Sequence, residues 1–159
     1  MILVLLGTQN NSFHRLLEEI QKNIDNGNIK EEVIVQKGYT KFESKNMTTY
    51  TQLPTDKFEE MIDKANLVIT HGGVGSIITA IEKNKKVIAV PRLKKYKEHV
   101  NDHQLDIIKS FDEKGYIIGL NSVQDLKNAL KRVQEFEPKQ YVKNTGNILK
   151  IVENFIENN

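Results

Sequence analysis

The chain has no cysteine and only three prolines among its 159 residues. Without cysteine there is no disulfide framework, no Cys-ligated zinc and no thiol nucleophile. Long apolar runs are missing too: none approaches the ~20 residues that a membrane-spanning helix needs. The opening stretch Met1 to Gly7 is apolar, but it lacks a basic n-region and a small-residue cleavage site, so it does not read as a signal peptide. Neither charge sign dominates. The 23 basic and 21 acidic residues give a formal net charge of +2, without the strongly basic face expected of a dedicated nucleic-acid binder. These absences leave a soluble cytoplasmic protein as the expectation. Its 159 residues fit a single domain over 1–159, long enough to bury a core without covalent staples.

What is present alternates between buried strands and amphipathic helices. Ile2 to Leu6 is a continuous apolar run closed by Gly7, the pattern of a strand covered on both faces. Phe13, Leu16, Leu17, Ile20 and Ile24 follow at helical spacing, with Ser12 placed to cap and Gly27 to stop the helix. Val33 to Val35 is a second strand, and Thr48 to Leu53 a possible third. Asp56 and Glu59 have the spacing of a capping box ahead of Phe58, Met61, Ile62 and Ala65. Leu67 to Thr70 is another buried strand, a helix opens at Ser76, and Val87 to Val90 is a strand stopped by Pro91. A helix from about His103 to Phe111, a strand from Tyr116 to Leu120, and a helix capped by Ser122 with Asp125 come next. Ile148, Ile151, Val152 and Phe155 predict a C-terminal amphipathic helix over about 141–158, either core packing or an exposed docking face. Strands separated by single helices make βαβ units, and so a Rossmann-like α/β domain with a parallel sheet.

Ligands of such sheets bind at the carboxyl ends of the strands. Three segments fall there. The sharpest is His71-Gly72-Gly73-Val74-Gly75-Ser76, with three glycines in four positions between a strand and a helix. Glycines let the backbone approach a ligand closely, and the helix start offers free N–H groups to a phosphate or pyrophosphate. The plainer alternative is a tight turn without a ligand. The dinucleotide fingerprint would need glycine where Ile78 stands, and no Gly-Lys-Ser/Thr exists for a Walker A loop, so NAD and ATP hydrolysis are disfavoured. The segment Pro91 to Gln104 has a basic half, suited to phosphates, to a partner or simply to solvent, and then Glu98, Asp102 and Gln104, suited to ribose or sugar hydroxyls. His99 and His103 are four residues apart but lack the His-Glu-x-x-His order and a third ligand, so no metal site is expected. Gly7 to Asn11 is the third segment. Nearby His14 is the one candidate general base, or else a surface residue on a first helical turn.

Taken in order, Val4-Leu5-Leu6-Gly7-Thr8, Phe13-His14-Arg15-Leu16, Gln36-Lys37-Gly38-Tyr39, His71 to Ser76, and Pro91-Arg92 through Glu98-His99-Val100-Asn101-Asp102-His103-Gln104 resemble the C-terminal, donor-binding domain of family 28 glycosyltransferases. More narrowly, they are similar to the small catalytic subunits of two-part transferases of bacterial capsule and exopolysaccharide synthesis, with the catalytic subunit of the eukaryotic dolichol-linked GlcNAc transferase as a cousin. The resemblance covers roughly residues 1 to 120. It implies one half of a GT-B fold that binds a UDP-sugar. Gly72, Gly73, Gly75 and Ser76 would hold the pyrophosphate. Glu98, Asp102, His103 and Gln104 would line the ribose and sugar side, and Gly7 and Thr8 would face the cleft, with His71 completing the donor-binding set. Relatives often carry His where Gln9 stands, Asp or Asn where His14 stands, and an acidic residue where Thr79 stands, so no role is carried over to these three positions.

A complete GT-B enzyme needs two such domains. The resemblance therefore implies a membrane-anchored partner that presents a polyprenyl-diphosphate-linked glycan and recruits this chain to the inner face of the cell membrane. The reaction implied is inverting, metal-independent transfer of a hexose, for example β-1,4-linked galactose, with no cofactor beyond the UDP-sugar. The alternative within the same fold is a non-catalytic nucleotide-sugar-binding accessory subunit.

Overall fold

The computed structural model describes residues 1–141. Six parallel strands form one sheet: β1 (Ile2–Leu5), β2 (Val33–Gln36), β3 (Met47–Tyr50), β4 (Leu67–His71), β5 (Lys86–Val90) and β6 (Ile118–Gly119). They are interleaved with α1 (His14–Asp25), α2 (Thr55–Lys64), α3 (Val74–Glu82), α4 (His103–Glu113) and α5 (Leu126–Glu135). The strand order is β3-β2-β1-β4-β5-β6. That is the doubly wound arrangement in which the chain turns outward in both directions from β1 and β4.

Strand periodicity explains the two cores. Ile2 and Val4 point with Val33, Val35, Ile69 and Ile88 into a layer closed by Leu16, Leu17 and Ile20 of α1 and by Leu126, Ala129 and Leu130 of α5. Leu3 and Leu5 point the other way, with Val68, Val87 and Ala89, against Ile62 of α2, Ile77 and Ile81 of α3, and Ile107, Ile108 and Phe111 of α4. Burial on both faces is why these strands read as unbroken apolar runs.

Local signals were less exact than the period. Ser12 does not cap α1; Phe13 takes that position, and its N–H donates to Thr40 Oγ1 at 2.9 Å, so the cap comes from a loop 27 residues away. The Asp56–Glu59 box does not form, because Pro54 rather than Asp56 holds the N-cap position of α2, two residues earlier. Helix α3 starts at Val74 rather than Ser76, with Gly73 at its N-cap position. The strands expected at Thr48 to Leu53 and Tyr116 to Leu120 shorten to Met47–Tyr50 and Ile118–Gly119. Gly27 ends α1 as expected, with φ +78°. The C-terminal stripe Ile148 to Phe155 lies outside the described residues. Among those residues no helix is long and apolar enough to cross a membrane.

Candidate functional site

The loops that leave β1, β4 and β5 meet at the point where the strand order reverses. His71, the last residue of β4, is their common packing partner. It is 6% exposed, and a Cβ on Gly7 would lie 2.7 Å from its Nε2, one on Gly73 2.3 Å from its Cε1. Gly7 also has φ +82°, which only glycine adopts without strain. The two glycines are therefore required by the imidazole between their loops. Gly72 is required by α4, since a Cβ there would meet Gln104 Cβ at 2.7 Å.

Gly75 differs. Beyond its own helical turn, no described residue has an atom within 4 Å of where its Cβ would be. It is exposed in the first turn of α3, and the first N–H to bond within the helix is that of Ile77, to Gly73 O at 3.1 Å. The N–H groups of Val74, Gly75 and Ser76 thus precede the helical ladder, where the dipole favours an anion. Ser76 sits inside this turn and is half-buried, so its hydroxyl is beside the N–H groups rather than at the cap.

Behind the glycines stands a polar scaffold that sequence reasoning placed differently. Gln104 is 3% exposed, and its Oε1 accepts from the N–H of Gly72 and of Arg92, both at 2.9 Å, tying the ends of β4 and β5 to α4. Arg92 does not face a phosphate or a partner. It is 1% exposed and donates to the carbonyls of Asn11 (2.8 Å), Glu98 (3.0 Å) and Leu6, with its guanidinium over the Phe13 ring. Burial lowers its pKa to about 10 against the opposing pull of Glu98. Glu98 is buried as well. Its carboxylate accepts from Arg15 Nε and Nη2 at 2.7 and 2.8 Å and from Leu93 N–H at 3.0 Å, while Arg15 stacks 3.8 Å over the exposed Tyr96 ring. Arg15 was not singled out from the sequence. It stood only within the Phe13-His14-Arg15-Leu16 stretch of the resemblance, with no role of its own.

The rim is open. Thr8 and Asp102 are exposed, and Asp102 Oδ1 accepts from Lys94 N–H at 2.8 Å. Gln9 Nε2 lies 3.0 Å from His99 Nε2 and ties the first loop to the third above a cavity of about 350 Å³ lined by Gln9, Asn10, Asn11, His99 and Val100. His103 opens α4 with its N–H on Asn101 Oδ1 at 3.1 Å. His14 is a surface residue: its ring nitrogens lie 3.2 Å from Lys41 O and 2.7 Å from Glu18 Oε1. Among the described residues no group of three or more His, Asp or Glu side chains is placed to hold a metal ion.

Burial holds His71 neutral, with its pKa lowered to about 3 by desolvation first, then by Arg92 and His99. The unfolded chain binds this proton near pH 6.5 and the folded one only near pH 3, so stability is full above 6.5 and falls as the pH drops between them. We expect on the order of 3 kcal/mol of the stability lost between pH 7 and pH 4.5 to trace to His71. Urea unfolding at pH 7 and pH 4.5 checks it: the difference should shrink in His71→Gln, and an equal loss in both chains would contradict it.

A doubly wound parallel sheet with glycine-rich loops at the switch point defines a Rossmann-like α/β domain, and comparison with known proteins narrows it. Residues 1–158 match the glycosyltransferase family 28 C-terminal domain, and the chain belongs to that family. The human UDP-N-acetylglucosamine transferase subunit ALG13 is 37% identical over 62 residues, covering 39% of this chain and 5% of that protein. The subunit of the same name from Cryptococcus neoformans is 28% identical over 88 residues, 54% of this chain and 42% of its own length. This chain thus spans less than half of the curated relatives it matches. Among solved structures, the solution structure of ALG13 aligns with TM-score 0.59 at 20% identity over 87% of each chain. The glycotransferase of kitacinnamycin aligns with TM-score 0.60 at 14% identity over 84% of this chain and 34% of its own. Acinetobacter baumannii MurG gives 0.57 at 15% identity over 82% of this chain and 40% of its own. These neighbours are GT-B glycosyltransferase domains, and the fold is the one expected.

Proposed function

We propose that this chain is the UDP-sugar-binding, catalytic subunit of an inverting glycosyltransferase that adds a hexose to a polyprenyl-diphosphate-linked glycan in capsular or exopolysaccharide synthesis. We take β-1,4-linked galactose as the working case. The observation that carries the reading is Gly75: beyond its own turn no described residue occupies the place of a side chain, and it lies in the turn whose N–H groups precede the helical ladder. The diphosphate would lie on Val74, Gly75 and Ser76, with Gly72, Gly73 and His71 behind it and Gly7 and Thr8 opposite. Asp102 and His103, at the start of α4, would face the ribose and sugar. Glu98 and Gln104 would act from behind, by holding the loops they bond.

In the reaction the acceptor hydroxyl attacks the anomeric carbon from the face opposite UDP. The C–O bond to UDP breaks, and the charge developing on the diphosphate is met by N–H groups already in place. The hydroxyl proton passes to a base on the acceptor-binding subunit, a membrane-anchored partner that would complete the cleft and recruit this chain to the inner face of the membrane. That relatives are named as subunits of a UDP-N-acetylglucosamine transferase supports the two-part arrangement. One observation favours the accessory reading: His14, the only base foreseen in this chain, has its ring engaged by Glu18 and Lys41.

Reconstitution tests the proposal. The chain is combined with the membrane-anchored product of a neighbouring gene and supplied with labelled UDP-galactose, UDP-GlcNAc or UDP-glucuronate. Transfer to lipid-linked glycan is expected only with both subunits present. Full-rate transfer by the chain alone would contradict the two-part reading, and activity retained in a Gly75→Asp complex would favour the accessory one.

A further inference from the structure

The hydrogen bonds around Gln104 determine where the proton of His71 sits. Two backbone N–H groups, those of Gly72 and Arg92, point at one atom of the Gln104 amide at 2.9 Å. A backbone N–H only donates, so that atom is the amide oxygen and the other is the NH2. The NH2 lies 3.1 Å from His71 Nδ1, which must then accept. A neutral imidazole with an accepting Nδ1 carries its hydrogen on Nε2. No hydrogen bond among the described residues is made by Nε2, which stands between Gly7 and Gly73 beside the start of α3.

We infer that Gln104 is a positioning residue: it holds His71 as the Nε2–H tautomer, so that a neutral, fixed N–H donor faces a phosphate oxygen between the two glycine loops. The inference rests on the nucleotide-sugar reading of this site and deepens it. The donor adds to the N–H groups of α3 without bringing a buried positive charge, whose loss of hydration the site would have to offset. It also stays in one protonation state over the working range. The charged and titratable groups facing His71 are Arg92 and His99, both from the segment after β5, and both oppose its protonation. The Glu98 carboxylate is turned to Arg15 and Leu93 N–H, and the loops after β1 and β4 (residues 7–12 and 72–78) carry no ionisable side chain.

Ring-nitrogen NMR on the full chain tests the lock directly. Proton on Nε2 and none on Nδ1 from pH 5 to 8 is expected; an Nδ1–H or mixed tautomer would overturn the inference. The variant Gln104→Glu tests the consequence. Its carboxylate can still accept from Gly72 and Arg92 but offers a second oxygen to Nδ1, which moves the hydrogen there and raises the histidine pKa. UDP affinity relative to the unaltered chain should be about tenfold weaker at pH 8.5 and recover as the pH falls through the raised pKa of the variant's His71, located by the same NMR titration, as the imidazolium restores Nε2–H. A relative affinity that stays constant while the variant's His71 titrates would overturn the inference, because a merely structural role predicts a constant ratio. If the unaltered chain did not bind UDP at all, the nucleotide reading would fall, while the NMR result would still decide the tautomer.

Discussion

An Arg92→Leu chain should be less stable than the unaltered one by about 4 kcal/mol, a large part of what a domain of this size has. Leucine fills much of the space but donates nothing. The carbonyls of Leu6, Asn11 and Glu98 then lose their partner in a region where Arg92 was 1% exposed. Each buried acceptor left bare costs about 1–3 kcal/mol, and the loop carbonyl of Asn11 is the best placed to regain water. Glu98 adds to the loss, because removing the guanidinium takes away the opposite charge that favours it. Arg92→Lys should recover less than half of the difference, since one ammonium on a flexible stem does not reproduce a planar fork. Urea unfolding read at constant slope measures both. A loss under about 1 kcal/mol for Arg92→Leu would show that the carbonyls find other partners.

Gly75→Asp should abolish UDP binding, by roughly 100-fold or more, while leaving stability unchanged or slightly higher. The two halves of this prediction have separate causes. A carboxylate near the first N–H groups of α3 interacts well with the helix dipole, and beyond that helical turn no described residue has an atom within 4 Å of the new Cβ. The same carboxylate would occupy the place of a phosphate and repel it. Gly73→Asp is a poorer probe: its Cβ would meet His71 Cε1 at 2.3 Å, so lost binding there would reflect a collapsed loop as readily as a blocked ligand. Thermal unfolding and titration of the Gly75 variant, read together, separate the two causes.

The fold was legible because burial on both faces wrote it in a simple code. Runs such as Ile2 to Leu6 and Leu67 to Thr70 have no polar position to interrupt them, and that pattern belongs to parallel strands covered by helices. Element starts were less legible where the satisfying partner is distant in sequence, as with Thr40 and the N–H of Phe13. In the candidate site, the glycines were visible but their reasons were not. Gly7 and Gly73 answer to His71 and Gly72 to Gln104, whereas beyond its own turn no described residue claims the space beside Gly75. Glu98 and Gln104 looked like sugar-facing residues because carboxylates and amides suit diols. Within the chain their polar atoms bond Arg15 and backbone N–H groups, which need acceptors wherever water is excluded. Arg92 was misjudged for the same reason: among lysines it read as surface charge, and three carbonyls drew it inward.

The central claim is that this chain holds a UDP-sugar through the turn at Gly75, and calorimetric titration of the purified chain with UDP tests it most directly. Saturable binding of UDP, none of NAD at the same concentrations, and loss of the UDP signal in Gly75→Asp are the predicted results. Equal binding of UDP by the unaltered and Gly75→Asp chains would contradict the claim.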